Sequence, residues 1–385
     1  MKKINYKLNN KNIEKKEKKE KNKNIFNFEK IIKIKNCIKN YYFNKKCENL
    51  NSITNISLGN NNYINQILLL FDGRIAVSIF NKIQIYNKIS LELEIIIAEH
   101  LNEINYIYQL NDEKLISCSQ DNSIKLFSLK NSIEIKKIKK EKIKKNLHYV
   151  DLYRNLFLNY SLLNTIEYSS SIWKIIQSNY DKNILFSCTK DYKINIYKKN
   201  KNKITKYLIF PDNLKYKIYY NNYYKNIDLF DEGIVDILEI KENILASYLY
   251  NKSTIIFWNI KEKEEIKKIG FIECSLSNKI LTKFENILII GGKYIYLINI
   301  DNYELINSIK ISFYISCILP LEKEKIFLTG DNNGNLIQWK YENKNISLYS
   351  KKEKIHNKFI ISLSKYDNNK IISCSNEIDI LTIWE

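Results

Sequence analysis

One short stretch of the chain places histidine, serine and aspartate close together. His100 opens the sequence HLNEINYIYQLNDEKLISCSQDNSIKLFSLK, in which Ser117, Ser119 and Asp121 follow. These residue types could supply a base, a nucleophile and an orienting acid for acyl transfer. The same types also form hydrogen-bonded networks that hold turns and strands in place. The pattern of the rest of the chain helps to separate these two hypotheses.

The stretch recurs near the end of the chain. There HNKFIISLSKYDNNKIISCSNEIDILTIWE begins at His356, and Ser373 follows it by 17 positions, as Ser117 follows His100. Groups that recur in register belong to a repeated structural unit, so we interpret them as structural and expect no catalytic site. No phosphate-binding loop, HExxH, GxSxG or paired-carboxylate motif is present. The sequence therefore favours a protein that is not an enzyme and has no small-molecule substrate.

Each copy is built from short apolar strands joined by tight polar turns. The third strand of each unit ends at or near these positions: Tyr86, Phe127, Tyr197, Trp258, Ile298, Trp339 and Trp384. Apart from two longer intervals, the spacing is roughly 40–45 residues, which is typical of propeller blades with four strands each. The sequence predicts an all-β fold, a seven-bladed β-propeller of four-stranded antiparallel blades.

The repeated unit resembles that of the WD-repeat family, which runs Gly-His, Ser-x-Ser, an Asp in the turn, then Trp-Asp. His100 and His356 stand at the Gly-His position, although Glu99 and Ile355 replace the glycine, and no Trp-Asp dipeptide occurs. The resemblance implies a structural network within the blades. Its members here would be His100, Ser117, Ser119, Asp121, Asp191, Trp258, Asn333, Trp339, His356, Ser373 and Trp384.

The resemblance also implies a way of closing the ring. The sequence ends just after Trp384, at the end of a third strand, so the last blade would lack its outermost strand. WD-repeat rings are closed by a strand from before the first blade, and residues 52–58 are placed to provide it. Such closure removes two exposed sheet edges.

The domain organisation follows from the same pattern. Residues 1–50 are predicted to form a Lys-rich, partly helical or disordered N-terminal extension, in which Ile31, Ile34, Ile38 and Tyr41 recur at helical intervals. Residues 51–385 are predicted to form the propeller, with insertions near 131–168 and 198–230.

The net charge of +20 raises the question of nucleic acid. Nearly all of the positive charge is Lys, since Arg occurs only at positions 74 and 154. Bidentate recognition of phosphate or guanine is Arg chemistry, so sequence-specific binding is disfavoured. Non-specific RNA contact through Lys-rich segments 1–24 and 130–146 stays open.

The seven cysteines form no CxxC pair and show no metal-ligand spacing with the three histidines. We therefore expect no metal and no cofactor. Cys118, Cys188 and Cys374 recur at one position of the second strand, which favours buried core residues in a reducing compartment. No signal peptide and no apolar run of ~18 residues is visible. We expect an intracellular protein, cytoplasmic or nuclear.

The sequence thus favours a non-enzymatic scaffold or adaptor that binds other proteins, as part of a multiprotein complex, through the propeller faces and insertions. Within the second insertion, Tyr219, Tyr220, Tyr223 and Tyr224 are candidate partner contacts, because Tyr is enriched at interfaces. The Tyr- and Asn-rich composition of the whole chain is the alternative explanation of that segment. An RNA- or ribonucleoprotein-associated propeller is the alternative function.

Overall fold

The computed structural model describes residues 52–57, 64–129, 160–211, 233–249, 253–270, 279–321, 325–342, 345–367, 370–375 and 380–384. Within these ranges every helix or strand assigned is a β-strand. The N-terminal extension, including the predicted helix, lies outside the described residues.

Strand β1 (Ser52–Ser57) precedes the first blade along the chain. Blade 1 consists of β2 (Ile64–Leu69), β3 (Ile75–Ile79), β4 (Lys82–Tyr86) and β5 (Leu93–Ile97). Blade 2 consists of β6 (Ile104–Gln109), β7 (Leu115–Ser119), β8 (Ser123–Leu129) and β9 (Tyr160–Glu167). Blade 3 consists of β10 (Ile172–Gln177), β11 (Ile184–Thr189), β12 (Ile194–Asn200) and β13 (Lys203–Phe210).

Blade 4 consists of β14 (Ile234–Lys241), β15 (Ile244–Leu249), β16 (Thr254–Asn259) and β17 (Glu264–Gly270). Blade 5 consists of β18 (Leu281–Phe284), β19 (Ile287–Gly291), β20 (Tyr294–Asn299) and β21 (Glu304–Lys310). Blade 6 consists of β22 (Ile315–Leu321), β23 (Ile326–Asp331), β24 (Leu336–Glu342) and β25 (Asn345–Lys352). Blade 7 contains β26 (Ile360–Lys365), β27 (Ile371–Ser375) and β28 (Ile380–Trp384).

All seven sheets have four antiparallel strands, which confirms the predicted seven-bladed β-propeller. The first strand of each blade lies nearest the axis of the ring. We call the face with the links between blades and the turns between second and third strands the upper face. The turns between first and second, and between third and fourth strands, form the lower face.

Isoleucine-rich strands pack each blade against its neighbours. Seven buried apolar clusters fill the seven boundaries between blades, and each draws its residues from two neighbouring blades. At the boundary of blades 1 and 2, for example, Ile95 and Ile97 of β5 join Ile104 and Phe127. Cys118, Cys188 and Cys374 are buried within such clusters, as their repeated position predicts.

Some turns need a backbone conformation that side chains disfavour. Gly334, in the turn between β23 and β24, has a φ of +76°, and a Cβ there would lie 1.9 Å from the carbonyl oxygen of His356. Asn122 takes the left-handed conformation in the equivalent turn of blade 2, with a φ of 64°. In the equivalent turns of blades 1 and 3, Phe80 and Tyr192 take this conformation, so Asn is only one of the residues that replace Gly in a chain with 8 glycines.

The ring is closed by β1, as the sequence predicts. β1 pairs antiparallel with β28, with Ser52 opposite Trp384 and Ser57 opposite Ile380, and so becomes the outermost strand of blade 7. The two ends of the described chain are thereby held in one sheet, and β28 is no longer an edge strand.

Part of each predicted insertion belongs to a blade. β9 (Tyr160–Glu167) is the outer strand of blade 2, and β13 (Lys203–Phe210) is the outer strand of blade 3. The repeat is visible in three strands of each unit, so the sequence predicts insertions where the fourth strands of blades 2 and 3 lie. The remaining segment 130–159 joins two strands on the lower face, and 212–232 joins blades 3 and 4 on the upper face. Both lie outside the described residues.

We expect that β1 contributes to the stability of the whole ring. A variant lacking residues 1–58 should lose on the order of 3 kcal/mol of unfolding free energy relative to one lacking residues 1–50, because several backbone hydrogen bonds contribute about 0.5–1.5 kcal/mol each. Thermal and urea unfolding of the two truncations measures the difference. Equal unfolding curves would contradict the role of this strand.

Candidate functional site

The histidine, serine and aspartate of blade 2 meet beneath the upper face. The link between blades 1 and 2 carries His100, whose Nε2 lies 2.6 Å from Ser117 Oγ in β7 and whose Nδ1 lies 2.8 Å from Asp121 Oδ2. Asp121 also accepts hydrogen bonds from the backbone N–H of Leu101 and of Ser123. One carboxylate therefore fixes both the link and the turn after β7.

The two serines of β7 have different roles in the network. The hydroxyl group beside the imidazole of His100 belongs to Ser117. Ser119 Oγ instead donates to the carbonyl of Glu103 and accepts from the N–H of Asp121. Side chains two residues apart on a strand lie on the same face, so both serines point the same way. They nevertheless bond to different parts of the link, Ser117 to His100 and Ser119 to Glu103.

The blade 2 network holds the pKa of Asp121 well below its ordinary value. Burial alone would raise this pKa, but hydrogen bonds from His100 and Ser123 stabilise the carboxylate and outweigh it. The charged carboxylate is therefore a permanent acceptor for the link and the turn.

Blade 7 repeats part of this arrangement. His356 Nε2 lies 2.7 Å from Ser373 Oγ, and the indole N–H of Trp384 donates to the same oxygen at 2.8 Å. The hydroxyl of Ser373 can then donate its own hydrogen to the imidazole. The link, the second strand and the third strand of this blade meet at that one oxygen.

A hydrogen bond between an aromatic side chain of the third strand and a hydroxyl group of the second strand recurs in other blades. Trp258 donates to Ser247 Oγ at 2.7 Å, and Trp339 donates to Thr329 Oγ1 at 2.8 Å. In blade 3 the phenol of Tyr197 takes the place of the indole and lies 2.6 Å from Ser187 Oγ.

Two residues at the aspartate position lack a histidine partner. Asp191 accepts hydrogen bonds from Thr189 and Lys193 within its own turn. Asn333 takes part through its backbone N–H, which donates to Asp331 Oδ1 at 2.9 Å. The side chains that carry the network in blade 6 are thus Asp331 and Asn335, which the sequence did not single out.

Burial decides what these groups can do chemically. The Ser117 side chain is fully buried and His100 is 2% exposed, so a substrate cannot reach the hydroxyl without opening the blade. In the described part of the chain no three His, Cys, Asp or Glu residues are placed to hold a metal ion. The arrangement joins strands and links; it does not present a nucleophile.

A second polar network was missed at the sequence level and lies along the axis of the ring. In six blades the inner strand shifts register just after its first isoleucine. Side chains of the two following residues reach the next blade. Gln66 bonds both to the N–H and to the carbonyl of Ile107, and Asn105 donates to the carbonyl of Ile172. Ser362 accepts from the N–H of Ile67 across the boundary of blades 7 and 1.

The strongest charges of this network join blades 3, 4 and 5. Lys174 Nζ lies 2.5 Å from Asp236 Oδ1, and Asp236 Oδ2 accepts from the backbone N–H groups of Ile280 and Leu281. Burial alone would lower the pKa of Lys174, but the Asp236 carboxylate raises it above its usual value. Lys279 of blade 5 donates to the carbonyl of Asn65 in blade 1, across the ring.

A sequence signal for this network does exist. Lys174 and Asp236 interrupt the strongly apolar inner strands IWKIIQ and IVDILEIK, each two residues after an isoleucine. A charge at the centre of a buried strand requires a buried partner, but only the ring places the two strands side by side.

The upper face carries exposed apolar side chains at a blade boundary. Leu101 is 88% exposed and Phe80 is 43% exposed. Hydrogen bonds connect the turn that carries Phe80 with the link that carries Leu101. The backbone N–H of Ile104 donates to the carbonyl of Phe80, and the side-chain amide of Asn81 donates to the carbonyl of His100. Phe313 and Phe359 are further exposed aromatic residues on links of this face.

The predicted Tyr-rich contact lies outside the described residues. Tyr219, Tyr220, Tyr223 and Tyr224 fall in segment 212–232, which connects β13 with β14 and so joins the ring at its upper face.

The fold defines the class of protein: a seven-bladed β-propeller. A chain from the crystal structure of a mitotic checkpoint complex is similar, with a TM-score of 0.65 and 10% sequence identity over 92% of this chain and 98% of that one. No family model matches the sequence, and no curated protein is similar to it in sequence. No helix in the described part of the chain is long and apolar enough to cross a membrane.

We expect the Lys174–Asp236 pair to be essential to the ring. Lys174→Met should cost about 3–5 kcal/mol of unfolding free energy, because it leaves a buried carboxylate without its cation. The double variant Lys174→Met/Asp236→Asn should recover part of this loss, since no buried charge remains. Urea unfolding measures both. Lys351→Met, which removes an exposed pair with Glu353, is the control and should leave stability unchanged.

We also expect His356 to make stability depend on pH. Burial lowers the pKa of His356 from its ordinary value to about 4. Between about pH 6.5 and 4 the unfolded chain therefore binds one more proton than the folded chain, and acidification should cost about 3 kcal/mol. His356→Gln should flatten this part of the stability curve. An unchanged difference between pH 7 and pH 4 in that variant would show that His356 is not its source.

Proposed function

We propose that the chain is a degenerate WD-repeat propeller that acts as a non-enzymatic, intracellular scaffold and binds other proteins through its upper face. The observation that carries this proposal is the position of Leu101. Its side chain is exposed, while its neighbour His100 is held by Ser117 and Asp121 beneath it.

Rigidity favours such a surface as a binding site. A side chain presented by an ordered loop loses little conformational freedom when a partner covers it. The Leu101 N–H is bonded to Asp121, and the adjacent turn of Phe80 is bonded to the start of β6. Exposed apolar groups rimmed by polar residues commonly mark protein interfaces.

Two further observations support the proposal. Segment 212–232, with its tyrosines, joins the ring at this same face. The similar solved chain comes from a multiprotein complex, and a propeller scaffold within a complex agrees with the burial of Ser117 and His100. The RNA alternative depends on residues 1–24 and 130–146, outside the described part, and no comparison favours it.

The proposal predicts that Phe80→Ser/Leu101→Ser weakens partner binding without unfolding the ring, because both side chains are exposed. Affinity purification from the native cell followed by mass spectrometry should show specific partners lost from this variant. Thermal unfolding should be close to that of the wild type.

Leu348→Ser is the matched control. Leu348 is 57% exposed but lies on β25, at the outer edge of blade 6 rather than on the upper face. It should retain the partners of the wild type. Identical partner sets for all three proteins would contradict binding through the upper face.

A further inference from the structure

The lower face of blade 1 carries two exposed apolar side chains. Ile89, in the turn between β4 and β5, is 94% exposed, and Phe71, in the turn between β2 and β3, is 62% exposed. Both turns are well anchored: Asp72 bonds to Arg74 in one, and the Asn87 side chain accepts from the N–H of Ile89 in the other. We refer to Phe71, Ile89 and the turns that carry them as the blade 1 patch.

The patch lies beside the point where the N-terminal extension leaves the ring. Because β1 runs antiparallel to β28, Ser52 lies opposite Trp384 at the lower end of blade 7. The turn that carries Ile89 contacts this blade, since Tyr366 OH donates to the carbonyl of Lys88. The Lys88 ammonium also lies 4.5 Å from the centre of the Tyr366 ring.

The extension has a suitable composition and length. Residues 25–49 have the sequence IFNFEKIIKIKNCIKNYYFNKKCEN, which combines six Lys and two Glu with many large apolar residues. Only a few residues separate this segment from Ser52, so it is present at a high effective concentration beside blade 1. Among the charges at the patch, the Glu92 carboxylate suits a basic segment, whereas Asp72 is already paired with Arg74 and Lys88 is itself positive.

We propose that residues 25–49 of this chain dock on the blade 1 patch, with their apolar side chains on Phe71 and Ile89. The segment covers apolar surface that a second copy or another protein would otherwise contact. This contact is on the lower face and is independent of the proposed partner surface on the upper face.

Photo-crosslinking of the full-length protein tests this directly. Phe71 is replaced by p-benzoylphenylalanine, the purified protein is irradiated, and crosslinked peptides are identified by mass spectrometry. We expect crosslinks within one chain to residues 25–49, and their loss in the variant Ile31→Ser/Ile34→Ser/Ile38→Ser. Crosslinks to a second copy, to other segments only, or to none would overturn the proposal.

Tyr180 provides the control position. It is 52% exposed on the lower face of blade 3, two blades from the patch, and the same probe there should give no crosslink to residues 25–49. Hydrogen–deuterium exchange gives a second readout. Phe71→Ser/Ile89→Ser should speed exchange in residues 25–49 and leave the strands of blades 4 and 5 unchanged. Equal exchange in the two proteins would also overturn the proposal.

Discussion

At six of the boundaries between blades, a side chain of one inner strand bonds to the next blade. Apolar packing fills these boundaries, but packing is non-directional and does not fix how far one sheet is rotated against another. Hydrogen bonds from Gln66 to Ile107 and from Asn105 to Ile172 do fix it, because each joins a side chain to a neighbouring backbone. The register shift near the start of the inner strands directs these side chains across the boundary. Since the ring must close, one badly formed boundary would strain all the others.

Asp236 shows how demanding this constraint is. Its carboxylate accepts from Lys174 in the preceding blade and from the N–H groups of Ile280 and Leu281 at the next. A buried ion pair is not in itself stabilising, because desolvation offsets the attraction of the charges. Here the second oxygen of Asp236 also accepts hydrogen bonds, so the main effect of the ion pair is to fix how the neighbouring blades are placed against each other. Two apolar residues would bury similar surface without defining the angle between the blades.

The sequence was sufficient to predict the fold but not the contacts within it. The strand period and the spacing of Trp258, Trp339 and Trp384 depend on repetition along the chain, which is visible without coordinates. The closing strand was predicted from the resemblance of that repeat to WD-repeat rings. Whether the imidazole of His100 bonds to Ser117 or to Ser119 depends on how the link between blades 1 and 2 approaches β7. The sequence does not distinguish the two serines, because both lie on the same face of that strand. Contacts between Lys174 and Asp236 depend on the ring itself. The sequence did not identify the outer strands β9 and β13. A long connection precedes β9 and another follows β13, so neither strand shows the regular spacing of the repeat.

Pairwise compensation explains how the repeat motif fades while the blade persists. In blades 3, 4, 6 and 7 a hydroxyl on the second strand bonds to an aromatic side chain of the third, as in Trp258 with Ser247. In blade 2 the third strand has Phe127, and the hydroxyl of Ser117 bonds to His100 instead. In blade 5 both positions are apolar, Ile290 and Ile298, and both are buried. Where the hydroxyl and the aromatic donor bond to each other, both can be replaced together by apolar residues at little cost in stability, because no buried polar group is left without a partner. The repeat motif is therefore visible where these positions are polar, whereas the fold requires only that each buried polar group has a partner. Exposed side chains such as that of Leu101 are free of this constraint, because no side chain within the blade must change with them.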